Sequence, residues 1–158
     1  MLKIIGICIL LFTLVHFVGR VADTVRARVE TLREIGELLS RIRKDVGCYL
    51  LPLSDILSTY SSPRLSECGF LNRLLTGLDP APSLVGKYRV PDGAKRIVSD
   101  LFSSFGEGYA DDVIRSLDQA SAEISKILAH EDGEAKKRIK LYSVLSGAAG
   151  IGALILFI

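Results

Sequence analysis

Apolar residues in this chain fall into two patterns: unbroken runs near its ends and periodic stripes between them. Residues 4–19 (IIGICILLFTLVHFVG) and 141–158 (LYSVLSGAAGIGALILFI) contain no Asp, Glu, Lys or Arg. The later run has about 18 residues, roughly 27 Å as a helix and close to the hydrocarbon thickness of a bilayer. It is apolar on every face, whereas a helix lying on a protein surface keeps a polar stripe. The pattern predicts a transmembrane helix over 141–158, with a buried core helix or an interfacial anchor as the alternative. The earlier run has about 16 residues, slightly short for a span, so Lys3 and Arg20 at its ends would snorkel to the interfaces. A Lys ahead of such a run also opens a secretory signal, but no good small-x-small site precedes the charges that begin at Arg20. An uncleaved anchor over 1–20 is the expectation, with cleavage near Ala22 as the alternative.

Between the runs the period is helical. Leu32, Ile35, Leu39, Ile42 and Val46 recur at steps of three and four, and Val25 extends the stripe upstream. They predict an amphipathic helix from Arg20 to Val46 that continues from the first run and seeks a helical partner. Its other face carries Arg26, Glu30, Arg33, Glu37, Arg41 and Lys44, with Arg33–Glu37 and Glu37–Arg41 at ion-pair spacing. A second stripe, Val113, Leu117, Ala120, Ile124, Ile127 and Leu128, predicts a helix from Ala110 to His130. The polar EDGE at 131–134 reads as an interruption, where Gly133 kinks the helix or costs about 1 kcal/mol relative to Ala.

The middle reads as short helices separated by turns. One is predicted over Pro52–Tyr60. Another opens at Ser62 and Pro63, carries Leu65, Phe70, Leu71, Leu74 and Leu75, and stops at Gly77. DPAP at 79–82 is a loop and 83–90 is irregular or a single turn. A further helix from Pro91 or Asp92 presents Ile97, Val98, Leu101, Phe102 and Phe105 and ends at Gly106 and Gly108. Nothing alternates as a strand would. The predicted fold is all-α, with a transmembrane helix at 1–20, a cytoplasmic helical bundle at 21–140 and a transmembrane helix at 141–158. The two long helices, each attached to a span, would run side by side and antiparallel with their stripes meeting.

Composition fits this division: 49% hydrophobic residues coexist with 24% charged ones because the apolar residues are concentrated in segments. A net charge of +2 with no Trp and scattered aromatics gives no basic, aromatic-studded face for nucleic acid. Charge bears instead on orientation. Arg20, Arg26, Arg28, Lys136, Lys137, Arg138 and Lys140 flank the runs on their inner side, which by the positive-inside rule places the middle of the chain in the cytoplasm and both termini across the membrane.

Candidate chemistry is sparse. Cys8, Cys48 and Cys68 have neither disulfide-framework nor zinc spacing. His16 and His130 lack Cys or carboxylate neighbours at ligand spacing, and an intramembrane enzyme built on His16 and Cys8 has no third partner on a shared face. Gly86-Lys87-Tyr88 lacks the upstream Gly and the Ser/Thr of a phosphate loop. No catalytic, metal or cofactor-binding residue is assigned. Ser146, Gly147, Gly150 and Ala153 read as a membrane-helix packing face, since small residues let helices approach closely. Asp111 and Asp112 fit the start of a helix, where the dipole favours negative charge.

In the order of its features the chain resembles the stage III sporulation protein AB family, itself similar to the inner-membrane F protein of type II secretion and type IV pilus systems. The likeness is carried by the opening MLKIIG and its short apolar run, the helix RVETLREIGELLSRIRKDV, the segment Leu51-Pro52-Leu53-Ser54-Asp55-Ile56-Leu57, the pair Phe105-Gly106 before the last long helix, and the Gly-rich final run entered through Leu141 and Tyr142. It departs from the family at Cys48-Tyr49 and over GYADDVIRSLD. The resemblance implies a non-enzymatic subunit of a channel-like transenvelope complex in the mother-cell membrane around the forespore, without cofactor. Its partners would be a secretion-type cytoplasmic ATPase, other membrane subunits and further copies of itself. Arg41, Arg43 and Lys44, with the turn from Phe105 and Gly106 to Asp111 and Asp112, are the candidate partner contacts. A membrane-tethered helical regulator or sensor of a soluble partner is the alternative.

Overall fold

The structure, a computed structural model, describes residues 2–49, 52–105 and 110–157. Side chains at 2–5, 7–11, 14, 15, 49, 110 and 153–157 also lie outside the described residues. Six α-helices follow one another: α1 (Leu2–Tyr49), α2 (Leu53–Thr59), α3 (Pro63–Glu67), α4 (Phe70–Leu75), α5 (Asp92–Ser103) and α6 (Ala110–Phe157). Single 3-10 turns occupy Ala81–Ser83 and Gly86–Tyr88. The fold is all-α, with no strand among the described residues.

The chain divides into two compact units, one of residues 27–131 and one of residues 1–26 with 132–158. In the first, the predicted stripes are the core. Leu32, Ile35, Leu39 and Ile42 of α1 are fully buried, and so is Leu38, which widens the stripe beyond the strict three–four spacing. From α6, Leu117, Ala120 and Ile124 are buried, with Val113, Ile127 and Leu128 packed at the edge. The two helices run antiparallel: Arg28 meets Glu131, Gly36 meets Ile124, Arg43 meets Asp118 and Gly47 meets Ile114, so partners on α6 descend as α1 ascends. At Gly36 an added β-carbon would sit 3.9 Å from Ile124 Cγ2, ordinary contact distance.

The short helices cover this pair. Ile56, Leu57, Leu65, Phe70, Leu71, Leu74, Leu84, Val90, Ala94, Val98 and Leu101 complete the core. Phe102 of α5 meets Phe70 edge-on, their centroids 6.5 Å apart, and lies 5.6 Å from Phe105. Pro52 takes the N-cap position of α2, and α3 begins with Pro63 at its first turn behind Ser62, whose hydroxyl accepts from Leu65 N at 3.3 Å. That cap and that proline are the helix-start chemistry the sequence carries.

Three expectations are corrected. The helix expected from Ser62 to Gly77 is two helices, because the chain turns at Gly69 with φ +78°, a left-handed conformation that glycine adopts without a β-carbon clash. Its stop at Gly77 holds: Gly77 N bonds Leu74 O at 3.1 Å and Leu78 N bonds Arg73 O at 2.9 Å, a Schellman ending with Gly77 at φ +69°. The expected interruption at 131–134 is absent, and α6 runs through it. Local charge supports the helix there, with Lys136 Nζ 2.6 Å from Asp132 and Lys137 Nζ 3.1 Å from Glu134, at helical spacings. Finally, Arg33 reaches back to Glu30 at 2.6 Å and Arg41 forward to Asp45 at 3.3 Å, rather than either pairing with Glu37.

The second unit consists of the outer parts of α1 and α6. Here Phe12, Phe17, Leu141, Val144, Leu145 and Ile151 are each more than half exposed, while Ala135 is buried. Among the described residues no helix is long and apolar enough to cross a membrane. The two expected spans, 1–20 and 141–158, fall in part on positions outside the described residues.

Candidate functional site

The structure scatters the residues singled out from sequence. Arg41 is exposed and paired with Asp45 one turn on. Arg43 is committed to the fold, its guanidinium spanning the carboxylate of Asp118, with Nη2 donating to Oδ2 at 3.1 Å. That hydrogen bond and the charge of Asp118 raise the Arg43 pKa above its already high ordinary value. Lys44 is exposed. Phe105 is half-buried against Phe102 and the core, whereas Asp111 and Asp112 stand exposed in the first turn of α6. Gly106 lies outside the described residues. Arg41, Arg43 and Lys44 are thus all surface groups, Arg43 reaching across to α6 through an exposed ion pair, while Phe105 packs against the core.

On the final run, Ser146 is half-buried and its hydroxyl donates to Ser143 O at 2.9 Å. Gly147 is exposed, and a β-carbon there would meet nothing within 4 Å. Gly150 is half-buried, and the side chain of Ala153 lies outside the described residues. Gly147 is therefore not used in packing by any described residue.

Sequence spacing missed a polar hub centred on Glu34. Its carboxylate accepts from the Ser62 hydroxyl and faces Arg64 Nε at 3.2 Å, while its backbone carbonyl accepts from the Tyr60 hydroxyl at 3.2 Å. Ser62 is 3% exposed, so its hydroxyl depends on these partners. Burial first, then the nearby carboxylates of Glu37 and Glu34, push the Tyr60 pKa up from its ordinary value. The hub fastens the α2–α3 turn to α1. Tyr60 and Ser62 lie 26 and 28 residues from Glu34, and Arg64 further still, beyond any local periodic signal. A second polar group, at the surface, joins α3 to the turn Gly86–Tyr88: Glu67 accepts from the Tyr88 hydroxyl and lies 3.4 Å from Lys87 Nζ, which sits 4.7 Å from the Tyr88 ring centroid.

Two surface grooves are formed by described residues of this unit. One, of about 350 Å³, is lined by Leu53, Leu74, Leu78, Phe102 and Phe105, with Asp79, Ser99 and Ser103 at its polar side. The other, of about 210 Å³, runs between α5 and α6 and is lined by Asp100, Ser104, Ser116, Gln119 and Glu123 over Ile97, Leu101 and Ala120. Neither assembles a nucleophile with a base, and no group of His, Cys, Asp and Glu with metal-binding proximity occurs among the described residues. His16 stacks on Phe12 with centroids 6.3 Å apart, His130 is exposed, Cys48 is exposed and Cys68 is half-buried with its thiol directed at Leu65 O. Cys8 lies outside the described side chains. What the arrangement offers is surface: charged helix faces, a shallow apolar groove, and outward apolar side chains on both helices of the smaller unit. No family model, no curated relative and no solved structure matches the chain.

Proposed function

We propose that the protein is a non-enzymatic membrane subunit of a sporulation transenvelope complex resembling a secretion channel. Its helical domain couples a cytoplasmic secretion-type ATPase to the membrane assembly, and it sits in the mother-cell membrane around the forespore. The observation that carries the membrane part is the uncovered apolar surface of the smaller unit, with Phe12 and Phe17 on α1 and Leu141, Val144, Leu145 and Ile151 on α6. Fully burying such a side chain is worth about 1.5–3 kcal/mol, and each forfeits more than half of that while it faces water. A concentration of them on two helices demands a covering, and a bilayer provides one on all sides at once. The flanking transmembrane helices, over 1–20 and 141–158, are part of this proposal. The sporulation role rests on the family resemblance, and the coupling role on that resemblance together with the exposed charged face that includes Arg41 and Lys44.

Topology is tested by labelling Cys48, which is exposed, and a cysteine added after Ile158 with an impermeant maleimide in intact and permeabilised cells. The expected result is labelling of the two from opposite sides of the membrane; labelling of both from the same side refutes the topology. Assembly is tested by membrane pull-down of the Gly147→Leu/Gly150→Leu variant, expected to lose partner subunits while keeping its helix content. Undiminished capture would remove the packing role of Ser146, Gly147, Gly150 and Ala153. The regulator alternative predicts capture of a soluble protein and no secretion-type ATPase in the same pull-down.

A further inference from the structure

The smaller unit carries, beside its outward apolar side chains, a concentrated band of cations. α1 leaves this unit at Arg26 and α6 enters it at Asp132. Within about 12 Å of helix from those points lie Arg20, Arg26, Lys136, Lys137, Arg138 and Lys140, all exposed. The carboxylates in the same stretches are Asp23, Asp132 and Glu134. Two of the three are engaged, Asp132 by Lys136 and Glu134 by Lys137. Arg20, Arg26, Arg138 and Lys140 form no ion pair with any described residue, and the exposed carboxylate of Asp23 is the one acid left in the band. The apolar side chains begin immediately beyond: Phe17 three residues before Arg20, and Leu141, Val144 and Leu145 directly after Lys140. Tyr142, half-buried at the junction, suits the boundary between headgroups and hydrocarbon.

An exposed cationic band touching an exposed apolar surface has one natural complement, a layer of phosphate monoanions over hydrocarbon. We propose that Arg20, Arg26, Arg138 and Lys140 bind the headgroup phosphates of anionic phospholipids, so that the protein recruits phosphatidylglycerol-type lipids around its helices in preference to zwitterionic ones. This rests on the membrane reading given above and adds a lipid class to it. Arginine contributes a planar fork of donors for phosphate oxygens, and lysine a mobile point charge. A basic residue near an anionic surface gains attraction corresponding to roughly fivefold in occupancy.

The full-length protein, reconstituted in phosphatidylcholine vesicles doped with spin-labelled phosphatidylglycerol or spin-labelled phosphatidylcholine, provides the test by electron paramagnetic resonance of the motionally restricted lipid. The wild type is expected to restrict phosphatidylglycerol at least about fivefold more than phosphatidylcholine. The Arg20→Gln/Arg138→Gln/Lys140→Gln variant is expected to lose most of that preference at unchanged helix content. Arg96→Gln/Arg115→Gln, which alters exposed cations of the larger unit, is expected to keep it. Equal restriction of the two lipids by the wild type, or an unchanged preference in the triple variant, overturns the proposal while leaving the membrane reading standing. Release from vesicles of either composition by carbonate overturns the membrane reading itself, and the proposal with it. Soluble glycerol phosphate is expected to leave the preference intact; abolition at concentrations that leave ionic strength unchanged would assign the band to a soluble phosphate compound and overturn the lipid assignment.

Discussion

Both units are built on α1 and α6, yet they use apolar side chains in opposite ways. Between residues 27 and 131, Leu32, Ile35, Leu39 and Ile42 turn toward Leu117 and Ile124 and are wholly shielded, with polar residues outside. In 1–26 and 132–152, Phe17, Leu141, Val144 and Ile151 face outward, and small residues such as Gly147 and Gly152 have open space where a β-carbon would be. The difference follows from the period of the sequence. A stripe recurring at three and four residues gives a helix one dry side, so it closes on a partner within the chain. A run apolar all round leaves apolar surface over after any pairwise contact, and that surface must be met by something other than the chain.

The largest expected effect separates the two uses directly. Phe70 is fully buried at the meeting of α4 and α5, so Phe70→Ala removes core contacts and leaves a cavity. It is expected to destabilise the larger unit by about 3–5 kcal/mol. Phe17→Ala, the same chemical change at a side chain 61% exposed, is expected to move unfolding of that unit by less than about 0.5 kcal/mol. Denaturant unfolding of the full chain in neutral detergent, followed by circular dichroism, measures both; equal losses would erase the contrast between the units.

Next in size is the polar hub. Glu34→Ala strips the Ser62 hydroxyl and Arg64 of their shared partner while leaving the Tyr60 bond to the backbone carbonyl in place. A buried hydroxyl left without its acceptor costs about 1–3 kcal/mol. Glu34→Gln retains an acceptor for Ser62 and is expected to lose less. Hydrogen exchange is the sharper measurement, because Ser62 caps α3: loss of protection should concentrate at α2 and α3. Uniform loss over the larger unit would mean that the hub does not act as a local fastening.

How much of this could be read from sequence depended on range. The stripes on α1 and α6 and their antiparallel pairing were legible because helical period and burial are the same fact seen twice. The turn at Gly77 was legible because its neighbours close a local hydrogen-bond pattern. Gly69 was not, since a single glycine between apolar residues looks like a helix interior until tertiary packing chooses the left-handed turn. The Glu34 hub joins residues almost thirty positions apart, and nothing local marks it. Among the candidate contacts, Arg43 looked like Arg41 and Lys44 in sequence; only the approach of Asp118 from α6 marks it as paired across the two long helices, through an ion pair that is itself exposed.

Glycine substitutions give effects near 1 kcal/mol and of opposite sign in the two units. Gly133 lies within α6 in the smaller unit, and a β-carbon there meets nothing within 4 Å, so Gly133→Ala is expected to stabilise the helix by about 1 kcal/mol. Gly77 has φ +69° at the end of α4 in the larger unit, and Gly77→Ala is expected to cost about 1–2 kcal/mol through left-handed strain. Paired thermal melts of the two variants decide. A destabilising Gly133→Ala would mean that α6 needs its glycine for a contact not made within the chain.

The smallest expected effect concerns the surface group Glu67, Lys87 and Tyr88. Hydrogen bonds from Tyr88 and then Lys87 hold the Glu67 carboxyl below its ordinary range. Hydrogen bonding to Tyr88 and then Glu67 holds the Lys87 ammonium above its own. A depressed carboxylate pKa contributes stability that is complete above its unfolded value and lost as pH falls through the folded one. A raised lysine pKa contributes stability that is complete below its unfolded value and lost as pH rises through the folded one. The link between α3 and the turn Gly86–Tyr88 should therefore be fully formed across neutral pH and loosen in acid first. Since the group is exposed, the change is local and screened by salt. It is best followed as the Tyr88 ring shifts in a nuclear magnetic resonance titration of the full-length protein. Glu67→Gln should flatten the acid limb of that titration and, because Glu67 also helps to raise the Lys87 pKa, draw the alkaline limb toward lower pH, whereas an acid limb that survives the substitution would have to arise from another carboxylate. A response confined to residues 63–90 would further separate this peripheral link from the buried core shared by α1 and α6.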